Sequence, residues 1–278
     1  MSEFFARRAP DRPGLALFLN AGDPPLPVLA DIMRMLDDCR VDCLELAVPF
    51  PDSVTDGEVN RRSAQRALGQ GVGLDEVLDF LAAIRPGLRH LRVALLADWS
   101  HTVKPLPLAD FTARVAASGA DGLLVHGLPP RLRTGCRDAA RDAGLPLVTT
   151  CYPSSAEEVK AEAAEHATAY LYLVAHYGRS GGTPSVDRRQ LADTIAMLRR
   201  RSTAPIAVGF GIRSRTDIAA VHALGADAAI VGSAGVARIE EALAQQADVV
   251  DEFHTFVTTL LPPSPTRSGV SPHDCPTS

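Results

Sequence analysis

Two rhythms of hydrophobic spacing alternate along this chain. Short apolar runs at 15–20, 43–48, 91–97, 122–125, 146–151, 169–174, 205–208 and 228–231 read as strands buried on both faces. Between them the period lengthens. Val28, Leu29, Ile32, Met33 and Leu36 follow the i, i+3, i+4 spacing of a helix lying on a sheet. Further helices are expected at about 60–70, 74–84, 106–117, 131–142 and 156–165, then up to residue 200, at 216–224, and as one long final helix over 238–260. Eight strand and helix pairs imply parallel strands joined by right-handed crossovers. Their number within ~250 residues fits a (β/α)8 barrel. An open doubly wound sheet would want GxGxxG after the first strand, and LNAGDPP lacks it. Residues 1–13 are expected to form an extra N-terminal helix whose Phe4 and Phe5 plug the barrel bottom. Residues 1–261 read as a single barrel domain, and 262–278, PPSPTRSGVSPHDCPTS, as a disordered tail.

Composition narrows the function. The chain has 278 residues, 46% of them hydrophobic, and a formal net charge of −5 with both signs dispersed. That excludes a basic footprint for nucleic acid or a polybasic membrane patch, and leaves a small molecule as the expected partner. No run approaches the ~20 apolar residues of a membrane helix, and MSEFFARRAPDRPG lacks the apolar centre of a signal peptide, so a cytoplasmic protein is expected. Five scattered cysteines form neither a CxxC pair nor a metal-ligand spacing, so they read as free thiols, with no metal or cofactor.

The chemistry gathers at 41–60, VDCLELAVPFPDSVTDGEVN. Glu45 lies in the middle of an apolar strand, where an acid is costly unless it is paired or used. Asp56 follows in the loop beyond that strand, the place where α/β proteins put their chemistry. Backbone donors for Glu45 and an Asx turn for Asp56 are the structural alternatives. Gly181 and Gly182, Gly209 and Gly211, and Gly232 with Ser233 follow three later strands, and their small size lets backbone N–H groups close on an anion. A helix beginning at Ser233 would add a favourable dipole.

LELAVPFPDSVTDG at 44–57 resembles the LELGVPFSDPLADG signature of the tryptophan synthase α subunit family. LFLNAGDP at 17–24, VGFGI at 208–212 and VGSAGV at 231–236 resemble that family's first, seventh and eighth strand ends, in order. The resemblance covers 4–260. It implies a phosphate-binding (β/α)8 barrel that cleaves indole-3-glycerol phosphate by a retro-aldol reaction to indole and glyceraldehyde 3-phosphate. Glu45 and Asp56 fall on the family's two catalytic acids, the first as proton shuttle and the second as partner of the ring N–H. Phe18, Leu96 and Tyr172 fall where the ring packs, and Gly181, Gly182, Gly211, Gly232 and Ser233 where the phosphate binds. A β subunit is the implied protein partner.

Four departures qualify the resemblance. ADWSH at 97–101 brings Asp98 and Trp99 where the family has a tyrosine and then an asparagine, and VHGLPP at 125–130 brings His126 where it has an aspartate. SVTDGE replaces PLADGP, and His176 stands in place of an arginine. Asp98 and His126, at the ends of neighbouring strands, are expected to hydrogen-bond across the barrel mouth beside the ring. Because several of these surfaces touch the β subunit in the family, a free-standing lyase stands beside the α half of a synthase. A lyase or aldolase on another aryl glycerol phosphate and a non-catalytic phosphate-ligand-binding relative are the alternatives.

Overall fold

The computed structural model describes residues 4–5, 13–175, 187–209 and 211–262. Its strands are β1 (Gly14–Asn20), β2 (Cys43–Ala47), β3 (Arg92–Asp98), β4 (Gly122–His126), β5 (Thr149–Cys151), β6 (Leu171–Val174), β7 (Ile206–Gly209) and β8 (Ala228–Val231). The helices are α1 (Leu26–Asp38), α2 (Glu58–Gly69), α3 (Leu74–Ile84), α4 (Leu108–Ala117), α5 (Arg133–Asp142), α6 (Glu157–His166), α7 (Arg188–Arg199), α8 (Arg215–Ala223), α9 (Ser233–Ala244) and α10 (Val249–Leu260). All strand pairs are parallel, in the order β4-β3-β2-β1-β8-β7-β6-β5. One bridge, Leu123 to Leu147, draws the two outer strands together. This is the expected (β/α)8 barrel.

Alternation along each strand separates two cores, because successive side chains point to opposite faces. Leu15, Leu17, Leu44, Leu46, Val93, Leu95 and Leu123 point outward to the helices. Ala16, Cys43, Ala94, Leu124, Val148, Ala207, Ala228 and Ile230 point inward. The inward set is small, and Phe4 and Phe5 fill the space it leaves. Both are buried, and their rings lie 5.3 and 5.2 Å from Tyr170. The expected plug is thus in place, although residues 4–5 form a turn and the remainder of the expected helix lies outside the described residues.

Three boundaries differ from the sequence expectation. The final helix is two, because the chain turns at Gln246, with φ of 55°, and Asp248 then caps α10 by accepting from the N–H groups of Val250 and Asp251. The fifth strand is only Thr149–Cys151. Beyond β3 a π-type turn, Trp99–Val103, starts at Asp98 and delays α4. The expected tail falls outside the described residues from 263 onward.

Candidate active site

Glu45 sits at the centre of β2 with 2% of its surface exposed, pointing inward opposite Phe18 of β1 and Ala94 of β3. Its partner is the Tyr170 hydroxyl, which donates to Oε1 at 2.5 Å from the far side of the barrel. Burial pushes the Glu45 carboxyl up to about 7, against the opposing pull of the Tyr170 hydrogen bond. An acid poised there can give and take a proton near neutrality. Burial, together with the charge of Glu45, holds Tyr170 and Tyr172 as neutral phenols.

Asp56 lies in the 48–57 loop, partly buried. Asn60 donates to its Oδ1 from Nδ2 at 3.3 Å. The Asn60 carbonyl in turn accepts from the Asn20 amide at 3.3 Å, and that amide also reaches Ser63 Oγ at 3.0 Å. The end of β1 therefore pins the start of α2 and, through Asn60, the loop acid. The Asn60 Oδ1 atom is buried without a hydrogen-bond partner, an orphan acceptor beside Asp56. A second tie flanks this one. Arg66 of α2 clasps the buried Asp23 at 2.7 and 2.8 Å and Glu240 of α9 at 2.7 Å, and Arg62 also reaches Glu240. These guanidiniums hold the Glu240 carboxyl down to about 2.

Phe18, Leu96 and Tyr172 point inward and are partly buried. Tyr172 occupies space that only a glycine on the next strand leaves open. A Cβ on Gly209 would come within 2.6 Å of its hydroxyl oxygen.

The expected pair of Asp98 and His126 does not form. The two are register partners across β3 and β4, but the Asp98 carboxylate turns toward its own chain, accepting from the backbone N–H of His101 at 2.9 Å and lying 2.8 Å from His101 Nδ1. A local cap three residues away closes a short ring and outcompetes a contact between strands. His126 instead stacks on Phe50, with centroids 6.2 Å apart, and His101 stacks on the same ring at 5.7 Å.

On the other side of the mouth, Gly211 follows β7 with φ of 76° and open space where a Cβ would stand. Ser233 is the first residue of α9, directly after Gly232 at the end of β8. The end of β7 and the N-terminus of α9 thus flank the same edge, β7 being paired with β8. Gly181, Gly182 and His176 lie outside the described residues. Sequence reasoning missed Tyr170, Asn20, Asn60, Phe50 and His101 as members of the site. For Tyr170 a signal existed, since it stands two residues before Tyr172 and shares its face.

Comparison with known proteins agrees with the fold. The family model described as tryptophan synthase alpha chain matches residues 4–261. Similar proteins include the tryptophan synthase alpha chains of Acaryochloris marina, 37% identical over 94% of this chain and 96% of the relative, and of Gloeobacter violaceus, 36% identical over 87% and 89%. Among solved structures, the Legionella pneumophila tryptophan synthase subunit alpha superposes with a TM-score of 0.79 at 26% identity, covering 89% and 91% of the two chains. A chain of Mycobacterium tuberculosis tryptophan synthase gives 0.77 at 28% identity, covering 91% and 96%. The chain belongs to the tryptophan synthase alpha chain family.

Proposed function

We propose that the protein is a carbon–carbon lyase that cleaves indole-3-glycerol phosphate to indole and glyceraldehyde 3-phosphate. The observation that carries this reading is Glu45, a desolvated acid near neutrality at the centre of the barrel. In the protonated form it delivers a proton to ring carbon C3. The resulting carboxylate then takes the proton of the side-chain hydroxyl as the C–C bond breaks, so one group serves both transfers. Asp56 accepts from the ring N–H and stabilises the positive charge that C3 protonation places on the ring, with Asn60 holding its carboxylate. Phe18, Leu96 and Tyr172 flank the ring.

The phosphate binds at the opposite edge, on the backbone N–H groups around Gly211, Gly232 and Ser233, where the positive end of the α9 dipole assists, with Gly181 and Gly182 completing the cup. Asp98 lies beside the ring only indirectly, by fixing His101 against Phe50, while His126 closes the same edge. No helix among the described residues is long and apolar enough to cross a membrane. The reading is of a cytoplasmic enzyme whose relatives, as their names state, are the alpha chains of a synthase, so a β subunit is its candidate partner. The deciding experiment is indole release from the isolated protein, with and without a β subunit. Turnover in isolation supports the free-standing enzyme, turnover only with the β subunit supports the coupled one, and no turnover in either mixture would sink the lyase reading.

A further inference from the structure

The 48–57 loop carries Asp56 away from β2 and is fastened at both ends by side chains. The pairing with β3 gives out at Val48, whose N–H donates to the Leu96 carbonyl at 2.9 Å. Beyond it the loop rises to Val54, which is 82% exposed, so burial does not hold the tip in place.

At the root of the loop the buried Phe50 acts as a peg. The rings of His101 and His126 stack on it, with planes 22° and 25° from parallel. Both imidazoles stand on the sheet. His101 is fixed by Asp98, itself buried at the end of β3, and His126 is the last residue of β4. Two strand ends therefore grip the start of the loop.

At the far end Asn60 holds the acid itself. Its Nδ2 donates to Asp56 Oδ1 at 3.3 Å, and its backbone carbonyl is tied to Asn20 of β1. The tie has a cost. Asn60 is only 6% exposed, and its Oδ1 finds no hydrogen-bond partner among the described residues, whereas a leucine of similar size would bury no orphan acceptor. A buried group that lowers stability where an apolar one would fit points to a positional role.

An acid whose loop already stands in place gives up little freedom when it meets a ring N–H. We infer that Phe50 with His101 and His126, and Asn60 with Asn20, are positioning residues that hold Asp56 in its working place within this single chain, so that turnover needs no second subunit to order the loop. The inference rests on the lyase reading for the role of Asp56.

The test takes the intact protein alone and measures indole release together with the rate at which a protease cuts within 50–57. The parent should turn over unaided, and an added β subunit should change kcat by less than the ~5-fold of weak allosteric coupling. His101→Ala combined with His126→Ala should speed cleavage of the loop and lower kcat about ten- to a hundredfold, since ~1 Å of misplacement can cost ~10²-fold, with a smaller change in KM. His126→Phe with His101 kept retains both stacked rings and should keep the slow cleavage. Asn60→Leu should lower kcat while its urea midpoint stays level or rises, a combination that a merely structural asparagine would not give. Turnover only with the β subunit would overturn the inference, as would cleavage and kcat that the two alanines leave unchanged, or a loss of stability in Asn60→Leu. Slow cleavage that the alanines make fast, in a protein that releases no indole with or without a β subunit, would keep the clamp and remove the lyase reading.

Discussion

The two halves of the barrel are built from different material. From β1 to β4 the strands run five to seven residues and carry the candidate site residues Phe18, Glu45 and Leu96. From β5 to β8 they run three or four residues, and β7 and β8 line the interior with Ala207, Gly209, Ala228 and Ile230. In the proposed reading the first half supplies the two acids and most of the ring contacts, and the second supplies the backbone N–H groups for the phosphate together with Tyr170 and Tyr172. The Glu45–Tyr170 hydrogen bond crosses the interior and joins them.

The largest effect should come from removing the side-chain chemistry of the first half. Glu45→Gln should lower kcat by ~10² to 10⁴-fold while a phosphate analogue still binds. The same substitution should stabilise the fold at alkaline pH. Glu45 titrates at about 7 in the folded protein against an ordinary 4.5, so the native state holds the extra proton, and stability from this group falls as pH rises from 4.5 through 7. Urea unfolding at pH 8 to 9 should show the variant ahead by up to about 3 kcal/mol, with the gap closing toward pH 4.5. A gap that persists at pH 4.5 would assign the gain to something other than the buried charge.

Next comes the backbone chemistry of the second half. Gly211→Val places a branched side chain at a left-handed position and blocks the N–H groups there. KM should rise about ten- to a hundredfold, with a smaller change in kcat. An equal fall in kcat with KM unmoved would take this edge out of ground-state phosphate binding.

The link between the halves should give an intermediate effect. Because the Tyr170 hydroxyl favours the Glu45 carboxylate, Tyr170→Phe should shift the limb of the pH–rate profile governed by Glu45 further upward from pH 7. A profile that moves down, or not at all, would break the connection.

The smallest effect tests the mouth of the first half. A double-mutant cycle on Asp98 and His126 should show no coupling beyond ~0.5 kcal/mol, whereas the cycle on Asp98 and His101 should show about 1 kcal/mol. Coupling between Asp98 and His126 would restore the contact between strands that the structure replaces with the local cap.

Periodicity and a few short motifs carried much of this molecule. The strand cores and Leu74–Ile84 were legible because each buried segment repeats its apolar residues at the period its geometry demands. Glu45 was legible as an acid where burial makes an unused acid expensive. The break between α9 and α10 was not, because AQQAD has neither glycine nor proline and its only signal is the capping aspartate, Asp248.

The sequence by itself determined the alternation of strand and helix and the family, since both are local patterns in the chain; strands apolar on both faces did not say which side of each faces the barrel interior. Tertiary structure alone decided who meets whom. Tyr170 reaches Glu45 from 125 positions away, Asp98 turns to His101 rather than across to His126, and β4 and β5 part above a single bridge. Partner choice depends on competition in three dimensions, where a cap three residues distant defeats a neighbour on the next strand. No one-dimensional pattern encodes that competition.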